Sequence, residues 1–343
     1  MNYTLKVAAI KKETDDAVTL CFKQPGLKKI KYDAGQYLTL IFRINGRRYL
    51  RPYSFSSCPG VDQYLEITVK RVLNGLVSNH INDAVKEGDS IEVLSPMGDF
   101  TYSADKEYSS VYLWGVGSGI TPLISIGKHI LFTYPEVNVH LAYGNRSSES
   151  TIFLSQISQL QEKYPARFIA RHFYTRPVIN YDNPDVVQGR LDEEKISEIL
   201  DKSQDISNSA HYICGPSGLK ESVKTGLFVK GVSPSNIYSE DFELVKNPED
   251  FKDIQTQSIK LTFNSQEYDL EVVKGKSILE SALDANIELP YSCQTGTCNT
   301  CMARLRRGQV KMIGLTHERE DLLEGEYLLC CSHPVTEDVY LEV

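Results

Sequence analysis

The sequence contains no run of about 18 apolar residues, so it predicts no transmembrane helix. Its first sixteen residues, MNYTLKVAAIKKETDD, lack a basic start followed by an apolar run. We therefore expect no signal peptide and a cytoplasmic protein. Positive charge is also scarce, because 37 Lys and Arg stand against 45 Asp and Glu, a formal net charge of −8. Nucleic acid attracts basic surfaces and is not an expected partner.

The composition is that of packed globular domains, with 41% hydrophobic and 24% charged residues among 343. This length exceeds that of one ordinary domain and indicates two or three. The negative charge is uneven. Residues 257–343 hold eight Lys and Arg against fourteen Asp and Glu, a net charge of −6. A small acidic region of this kind indicates a separately folded unit.

Eight cysteines in a cytoplasmic protein are not expected to form disulfides. Their placement is uneven, because three are scattered and five crowd into about forty residues near the end of the chain. The crowded ones are Cys293, Cys298, Cys301, Cys330 and Cys331. This grouping indicates metal chemistry rather than a disulfide framework.

Three hydrophobic patterns follow one another along the chain. Short apolar runs at 4–101, separated by Gly, Pro, Asn and Asp, predict an antiparallel barrel or sandwich with one helix at 77–85. From residue 111 onward strands and helices alternate, which predicts a parallel α/β sheet. Two further strand-like runs and a helix at 277–284 open a last unit.

These patterns place domain boundaries by their changes in periodicity. The stretch between the second and third patterns is polar and lacks periodicity, so it predicts a linker. The expected divisions are 1–103, 104–243, a linker at 244–256, and 257–343.

The cysteines have the spacing Cys293-x4-Cys298-x2-Cys301, followed after 28 residues by Cys330. This is the plant-type [2Fe–2S] spacing, in which four thiolates hold two irons and two sulfides. Gly296 lets the loop curl close to the cluster. The alternatives are a four-cysteine zinc site and buried structural thiols. Zinc sites usually use two C-x2-C pairs, and the second pair is absent here.

The RPYSFSS segment at 51–57 carries groups that suit a flavin. Tyr53 offers an aromatic face, Ser54 a hydroxyl for the reactive nitrogen, and Arg51 a cation for the phosphate. About twenty residues on, a glycine loop enters a helix, a ready phosphate site. Its candidate lining residues are Gly75, Leu76, Val77 and Ser78. The plain alternative is an exposed strand edge and an ordinary helix start.

The segment GVGSGITP at 115–122 follows an apolar strand and opens a helix. Glycines there let a pyrophosphate approach the backbone, and proline suits a first helical turn. The spacing differs from the GxGxxG of dehydrogenases. Candidate dinucleotide-binding residues are Gly117, Gly119, Thr121 and Pro122, with Cys214, Gly215 and Pro216 at the end of a later strand. The alternatives are a tight βα turn and a buried core cysteine.

The order of these motifs, RxYS, GxxS, GxGxGxxP and CGP, resembles the ferredoxin–NADP reductase superfamily over residues 1–243. The runs IELPYSCQTGTCNTC and YLLCCSHP resemble plant-type ferredoxins. Reductase first and ferredoxin last is similar to the reductase subunits of phenylacetyl-CoA epoxidase and related oxygenases and desaturases. The resemblance implies a multidomain fold: an antiparallel β-barrel flavin domain, an α/β parallel-sheet nucleotide domain and an α+β, β-grasp-like ferredoxin domain.

The same resemblance implies roles for individual residues. It assigns Cys214 to the neighbourhood of the nicotinamide carbon that donates hydride, and it places Glu240 and Phe242 near the flavin. FAD is favoured over FMN by GLVSNHI and SPMGDF. Ser54, Cys214 and Glu240 are thus the candidate catalytic residues, and Pro52, Val69 and Lys70 are further candidates for cofactor binding.

Resemblance also makes Cys330 the fourth cluster ligand, because ferredoxins place that ligand four residues before a proline, here Pro334. Adjacent residues on a strand point to opposite faces, so Cys331 is not expected to reach the same iron. Gln294 departs from the ferredoxin pattern, in which many relatives carry Arg. We expect this departure to affect potential or docking but not ligation.

Arg146 and Ser147 after the second nucleotide-domain strand, with Arg176 nearby, favour NADPH over NADH. The expected activity is hydride transfer from NAD(P)H to the flavin, followed by single-electron transfer through the cluster to a terminal oxygenase or desaturase. We expect a monomer. Two alternatives stay open: a reductase for another redox metalloprotein, and a flavin diaphorase with a zinc-stapled interaction module.

The carboxylates of the ferredoxin-like region are concentrated in one run, which we call the acidic run. Its members are Glu318, Glu320, Asp321, Glu324 and Glu326, with Arg319 among them. It is interpreted either as a solvated helix face or as a surface that attracts the electron acceptor.

Overall fold

The computed structural model describes residues 2–26, 29–103, 106–177, 183–202, 206–315 and 318–343. The chain divides into two compact units. The first unit comprises Met1–Leu40 and Tyr53–Asp241, and the second comprises Ile41–Pro52 and Phe242–Val343. Within the described ranges, no helix has the length and apolarity needed to cross a membrane.

An antiparallel sheet is built from the first six strands of the chain. They are β1 (Asn2–Thr14), β2 (Ala17–Phe22), β3 (Tyr37–Ile44), β4 (Arg47–Ser54), β5 (Leu65–Lys70) and β6 (Ser90–Leu94). Their order in the sheet is β4-β3-β6-β1-β2-β5. Helix α1 (Leu76–Asp83) follows β5, close to the helix predicted at 77–85.

Alternating burial along these strands explains why they form a sheet with an inner face. Leu5 and Val7 of β1 are buried while Lys6 between them is exposed, and Leu5 pairs with Ile91 of β6. Side chains of successive strand residues point to opposite faces, so this alternation directs the apolar ones inward. The predicted antiparallel barrel is confirmed.

A parallel sheet follows within the first unit, whereas segment 41–52 of β3 and β4 belongs to the second unit. Its strands are β7 (Ser110–Val116), β8 (Asn138–Asn145), β9 (Phe168–Tyr174), β10 (Val186–Gln188), β11 (Ser209–Cys214) and β12 (Ile237–Glu240), and its helices are α2 (Ile120–Thr133), α3 (Leu154–Lys163), α4 (Glu193–Asp201) and α5 (Ser217–Val229). The order is β10-β9-β8-β7-β11-β12. Strand order therefore reverses between β7 and β11, and ligands of such sheets bind at that reversal, beyond the carboxyl ends of the strands.

Hydrophobic side chains cover both faces of this sheet. On one face, Ile120, Leu123 and Ile130 of α2 join a buried core with Leu113 of β7. On the other, Ile196 of α4 and other residues of α4 and α5 pack against the sheet. Coverage on both faces is what a parallel sheet requires, and it confirms the predicted α/β arrangement.

The second unit is a small α+β fold. Its elements are β13 (Gln257–Phe263), β14 (Gln266–Val272), α6 (Ile278–Asp284), β15 (Met302–Arg307), β16 (Val310–Met312), β17 (Glu326–Leu328), β18 (Ser332–Pro334) and β19 (Tyr340–Glu342). A five-stranded sheet has the order β14-β13-β19-β15-β17. Ser277 and Glu280 form a reciprocal capping box at the start of α6, which explains why the helix begins there.

The segment predicted as a linker is packed within the second unit. Pro248–Phe251 forms a 3₁₀ turn, and Phe251 and Ile254 are buried with Ile313 in a small core. In the sequence, charged residues flank these two apolar residues. The segment therefore has no hydrophobic periodicity from which their burial could be predicted. The stretch 244–256 is therefore a structural part of the second unit rather than a free connection.

The acidic run adopts turns rather than the helix that one interpretation assumed. Residues 318–325 have no helical assignment, and Glu326 begins β17. Arg319 explains the conformation, because its guanidinium donates hydrogen bonds to the Gly296 carbonyl, the Asn299 side chain and Asp321. A cation that contacts three separate groups favours a folded loop over a solvated helix.

Candidate functional site

Strand β4 ends on the predicted flavin motif. Ser54 is buried, and its hydroxyl donates a 3.2 Å hydrogen bond to Oε2 of Glu240. Pro52 and Tyr53 are half-buried. The Arg51 guanidinium donates a 2.8 Å hydrogen bond to the carbonyl of Leu50, so part of its donor capacity is used within the strand. The remaining donors of Arg51 are available to an anionic phosphate.

Glu240 lies at the end of β12. Burial raises its pKa to about 8, while the hydrogen bond from Ser54 opposes the shift and the charge of Asp241 adds to it. Burial therefore favours the protonated form of this carboxyl group, which can donate as well as accept a hydrogen bond. A neutral acid beside the serine suits a site where negative charge develops.

The predicted phosphate loop lies at the start of α1. Gly75 precedes the helix in an extended conformation, and no side chain caps the first-turn N–H groups. A Cβ added to Gly75 would lie 2.6 Å from the Ser78 hydroxyl, so the close turn excludes other residues. Ser78 accepts a hydrogen bond from the Val72 N–H and stabilises the loop from within. The uncapped N–H groups fit a flavin phosphate.

Other residues predicted around the flavin have plainer surroundings. Val77 is buried and Leu76 is exposed on α1. Val69 is buried in β5, and the Lys70 ammonium lies 3.6 Å from the Asp16 carboxylate. Phe242 is 46% exposed and belongs to the second unit.

The glycine segment connects β7 to α2 at the point where strand order reverses. Gly117 has a φ of +57°, which non-glycine residues rarely adopt. A Cβ added to Gly119 would lie 2.1 Å from the carbonyl oxygen of Cys214. No side chain caps the first turn of α2, in which Thr121 and Pro122 lie. The backbone therefore forms a cradle that fits a pyrophosphate at a helix start.

Cys214 ends the central strand β11 between Gly115 of β7 and Glu240 of β12. Gly215 and Pro216 follow, and α5 begins at Ser217. Burial raises the pKa of the Cys214 thiol well above its usual value. The thiol therefore stays neutral and serves as a small packing group rather than as a thiolate nucleophile. Cys214, Glu240 and Ser54 are thus brought to one region of the first unit.

The residues predicted to recognise a 2′-phosphate follow β8 and β9. Arg146 and Arg176 are exposed, and the Arg176 N–H donates a 2.8 Å hydrogen bond to the Arg146 carbonyl. Ser147 takes part in a local capping box with Ser150. Hydrogen bonding from Ser147 lowers the pKa of Glu149, with a smaller effect from Arg176. The segment presents two cations and one carboxylate at the carboxyl edge of the sheet.

The cysteine loop gathers the predicted cluster ligands. The sulfurs of Cys293 and Cys298 are 3.1 Å apart, and the Thr295 N–H donates to the Cys293 sulfur at 3.4 Å. Contacts with the Cys298 and Cys330 thiols hold the pKa of Cys293 below its usual value, and contact with Cys330 lowers that of Cys301. Cys293 thus contacts Cys298 and Cys330, and Cys330 contacts Cys301. Four thiols linked in this way, with a backbone N–H directed at one sulfur, fit a [2Fe–2S] cluster.

Adjacent Cys330 and Cys331 have different surroundings. Cys330 contacts Cys293, Cys301 and the adjacent Cys331. Cys331 is fully buried, and its thiol donates a 3.3 Å hydrogen bond to the Leu328 carbonyl. The Cys330 thiol thus contacts two of the other predicted ligands, whereas the Cys331 thiol is hydrogen-bonded to the backbone.

Two residues of the cysteine loop have a positive φ, and a side chain from outside the loop is hydrogen-bonded to its backbone. Gly296 has a φ of +74°, and a Cβ there would lie 2.2 Å from Leu315. Gln294 has a φ of +60° although it is not a glycine. Arg319 joins the loop to the acidic run through the Gly296 carbonyl. Sequence reasoning gave Arg319 no structural role, and its isolation among carboxylates was the only available signal.

Comparison with known proteins agrees with this geometry. The family model of the oxidoreductase FAD-binding domain matches residues 4–102, that of the oxidoreductase NAD-binding domain matches 113–225, and that of the 2Fe-2S iron-sulfur cluster binding domain matches 261–336. The structure of phthalate dioxygenase reductase, 24% identical, superposes with a TM-score of 0.69 over 100% of this chain and 98% of its own. That likeness supports the three-part fold.

Two curated relatives extend over almost the whole chain. One component of the 1,2-phenylacetyl-CoA epoxidase of Escherichia coli (strain K12) is 32% identical across 99% of this chain and 97% of its own length. The ferredoxin reductase component of 3-ketosteroid-9-alpha-monooxygenase from Rhodococcus rhodochrous is 31% identical across 98% and 96%. FAD, a nicotinamide dinucleotide and a [2Fe–2S] cluster are therefore the cofactors. The chain belongs to the family of oxidoreductases that serve as reductase components of oxygenase systems.

Proposed function

We propose that this chain carries electrons from NADPH to a separate terminal oxygenase of the phenylacetyl-CoA epoxidase or ring-hydroxylating kind, or to a desaturase. The convergence of Ser54, Glu240 and Cys214 is the observation that carries the proposal, because it joins the flavin motif to the end of the nucleotide-binding strand. When bound, FAD takes a hydride from the nicotinamide, and the cluster passes electrons on singly.

Each cofactor is assigned to its own region of the chain. We propose that residues 1–103 hold FAD, 104–243 hold the dinucleotide and 257–343 hold the cluster. The cluster ligands are Cys293, Cys298, Cys301 and Cys330. The neutral carboxyl group of Glu240 and the hydroxyl of Ser54 orient the flavin and stabilise negative charge on it. Gly119 and Gly117 admit the pyrophosphate. Eight free cysteines support a reducing compartment such as the cytoplasm.

NADPH is proposed as the reductant because Arg146 and Arg176 lie exposed at the edge where a dinucleotide ribose is expected. A pair of charge-assisted hydrogen bonds to a 2′-phosphate favours NADPH over NADH. Steady-state kinetics with both nucleotides test this preference. A higher kcat/KM with NADPH supports it, and a higher kcat/KM with NADH overturns it.

Capture of the native acceptor tests the proposed activity directly. The holoprotein, immobilised in extracts of its own host, should retain an oxygenase or desaturase, and NADPH oxidation should accelerate when that purified acceptor is added. Retention of an acceptor that is neither an oxygenase nor a desaturase, but is reduced at the same rate, would overturn this proposal.

A further inference from the structure

The edge strand of the antiparallel sheet is hydrogen-bonded to the cluster loop at Leu50. Strand β4 lies at the end of the sheet order, so one side of its backbone has no neighbouring strand among the described residues. On that strand the Leu50 N–H donates a 3.0 Å hydrogen bond to the Tyr291 hydroxyl. The Leu50 carbonyl accepts a 3.2 Å hydrogen bond from the Gln294 side chain. Both polar groups of one edge residue are thereby satisfied.

These two contacts lie on either side of a cluster ligand. Tyr291 is two residues before Cys293, and Gln294 is the residue after it. Tyr291 is 2% exposed and Leu50 is also 2% exposed, so the contact is dry. Gln294 reaches Leu50 from a left-handed backbone conformation, which costs free energy for a residue other than glycine. A strained residue that makes a specific contact indicates a functional constraint.

The contacted strand leads directly into the flavin motif. Leu50 precedes Arg51, and β4 ends four residues later at Ser54. Segment 41–52 belongs to the same compact unit as the cluster loop. A second link, the 3.7 Å ion pair between Arg43 and Glu288, is solvent-exposed and contributes little. The precise link is therefore the pair of hydrogen bonds to Leu50.

We propose that Tyr291 and Gln294 are positioning residues that clamp the Cys293 side of the cluster to β4 for electron transfer from flavin to cluster. In that step one electron leaves the reduced flavin and reduces one ferric iron to ferrous iron, and no covalent bond forms or breaks. Loss of the clamp lets the loop leave β4 part of the time and lowers the rate of this step. Hydride transfer to the flavin and ligation of the iron do not depend on it.

The test uses the holoprotein with Tyr291→Phe, Gln294→Asn and the double variant. Phenylalanine keeps the ring and removes the acceptor of the Leu50 N–H. Asparagine tolerates a positive φ, but its amide is one methylene short of the Leu50 carbonyl. Gln294→Asn is also safe for folding, because the Arg51 side chain still donates to that carbonyl. Iron content and visible absorption establish that each variant carries its cluster.

Stopped-flow absorption separates flavin reduction by NADPH or NADH from the later reduction of the cluster. We expect cluster reduction to slow by about two- to fivefold in each single variant, as loss of one hydrogen bond predicts, and further in the double variant. Flavin reduction should keep its wild-type rate. Hydrogen exchange of the Leu50 amide should accelerate by about fivefold in Tyr291→Phe. In contrast to Gln294→Asn, Gln294→Arg keeps a side-chain donor that can reach the Leu50 carbonyl. Its rate of cluster reduction should therefore equal that of the wild type.

A matched control is Tyr340→Phe in β19 of the same unit, which removes a phenol that is hydrogen-bonded to Thr262 at 3.1 Å and to Glu342 at 3.3 Å. It should leave cluster reduction unchanged. Wild-type cluster reduction in the double variant would overturn the proposal, as would equal slowing in the control. Unchanged exchange of the Leu50 amide in Tyr291→Phe would also overturn it.

Discussion

Ser54 donates a 3.2 Å hydrogen bond to Glu240, although 186 positions separate them in the chain. One residue ends a strand of the antiparallel sheet, and the other ends a strand of the parallel sheet. The bond links the serine predicted to face the flavin with the acid predicted to lie beside it. Burial raises the pKa of that acid to about 8, which gives the site a titration in an accessible pH range.

Flavin reduction should therefore slow as pH rises through about 8. Above this pH Glu240 is ionised, and its negative charge opposes the charge that the flavin gains on reduction. Glu240→Gln should remove this inflection from the stopped-flow rate of flavin reduction. Glu198→Gln, which removes an exposed carboxylate from α4, is the control and should retain it. An inflection that persists in Glu240→Gln would exclude Glu240 as its source.

The same group predicts a pH effect on stability. Because the folded state raises the pKa of Glu240, the neutral acid favours folding fully below its unfolded pKa of about 4.3. This contribution is lost as pH rises through about 8. The Tm of the wild type should thus fall relative to that of Glu240→Gln between about pH 4 and 8 and change little above that range. A constant difference between the two proteins would contradict the assignment.

Replacement of the two adjacent cysteines should have opposite effects on the cluster. Cys330→Ala removes a thiol that contacts two other cysteines of the loop, so iron and the visible absorption beyond the flavin bands should be lost. Cys331→Ala removes a thiol bonded to the Leu328 carbonyl and should keep both signals. The reverse pattern of iron content would move the fourth ligand to Cys331.

Gly119 should tolerate no larger residue, for a reason that does not involve backbone torsion. Its φ of −61° is ordinary, but a Cβ would lie 2.1 Å from the Cys214 carbonyl oxygen. Gly119→Ala should cost about 1–3 kcal/mol or more of unfolding free energy and weaken dinucleotide binding. Gly218→Ala in α5 meets no atom within 4 Å and should be neutral or slightly stabilising. Chemical unfolding of both variants tests the contrast, which equal stabilities would refute.

The exposed acids of the acidic run should attract the electron acceptor. Asp321 is excluded from this test because it binds Arg319 and supports the loop. Reversal of Glu318, Glu320 and Glu324 to Lys should slow reduction of the true acceptor by about tenfold at low salt. The difference from wild type should shrink as salt rises, because screening shortens to about 8 Å at physiological ionic strength. Activity from NADPH to ferricyanide should not change.

The matched control reverses three other exposed acids of the same unit, Glu271, Glu337 and Asp338. Both triple variants change net charge equally. If they slow acceptor reduction equally, net charge rather than the acidic run is responsible.

Local chemistry made much of this protein predictable from sequence. The spacing of Cys293, Cys298 and Cys301 was predicted from the thiolates that a cluster needs, and the role of the glycines at 117 and 119 from the close approach that a pyrophosphate needs. Such requirements act over a few neighbouring residues, so they produce motifs that can be recognised in the sequence. Alternating burial in β1 and the apolar run of β7 likewise report which faces of a sheet are covered.

Contacts between distant segments were not predictable in the same way. Leu50 and Tyr291 are joined by a backbone group and a phenol, neither of which has a distinctive sequence pattern. Phe251 and Ile254 lie among charged residues, so their burial leaves no period to detect. Arg319 could be seen as an isolated cation, but the Gly296 carbonyl that it binds is invisible in sequence. These features depend on tertiary contacts between residues that are far apart in the sequence.

The discontinuity of the second unit has a consequence for exchange of modules between reductases. A chimaera that replaces residues 242–343 alone imports a foreign cluster loop onto the native segment 41–52, which belongs to the same unit. The foreign residues at positions 291 and 294 then lie against the native Leu50 backbone, which is matched to the native loop. Grafts that also transfer 41–52 preserve the inherited match. Exchange of the second unit therefore requires the transfer of two separate gene segments, which encode 41–52 and 242–343. The choice of the short segment determines whether the long one packs correctly.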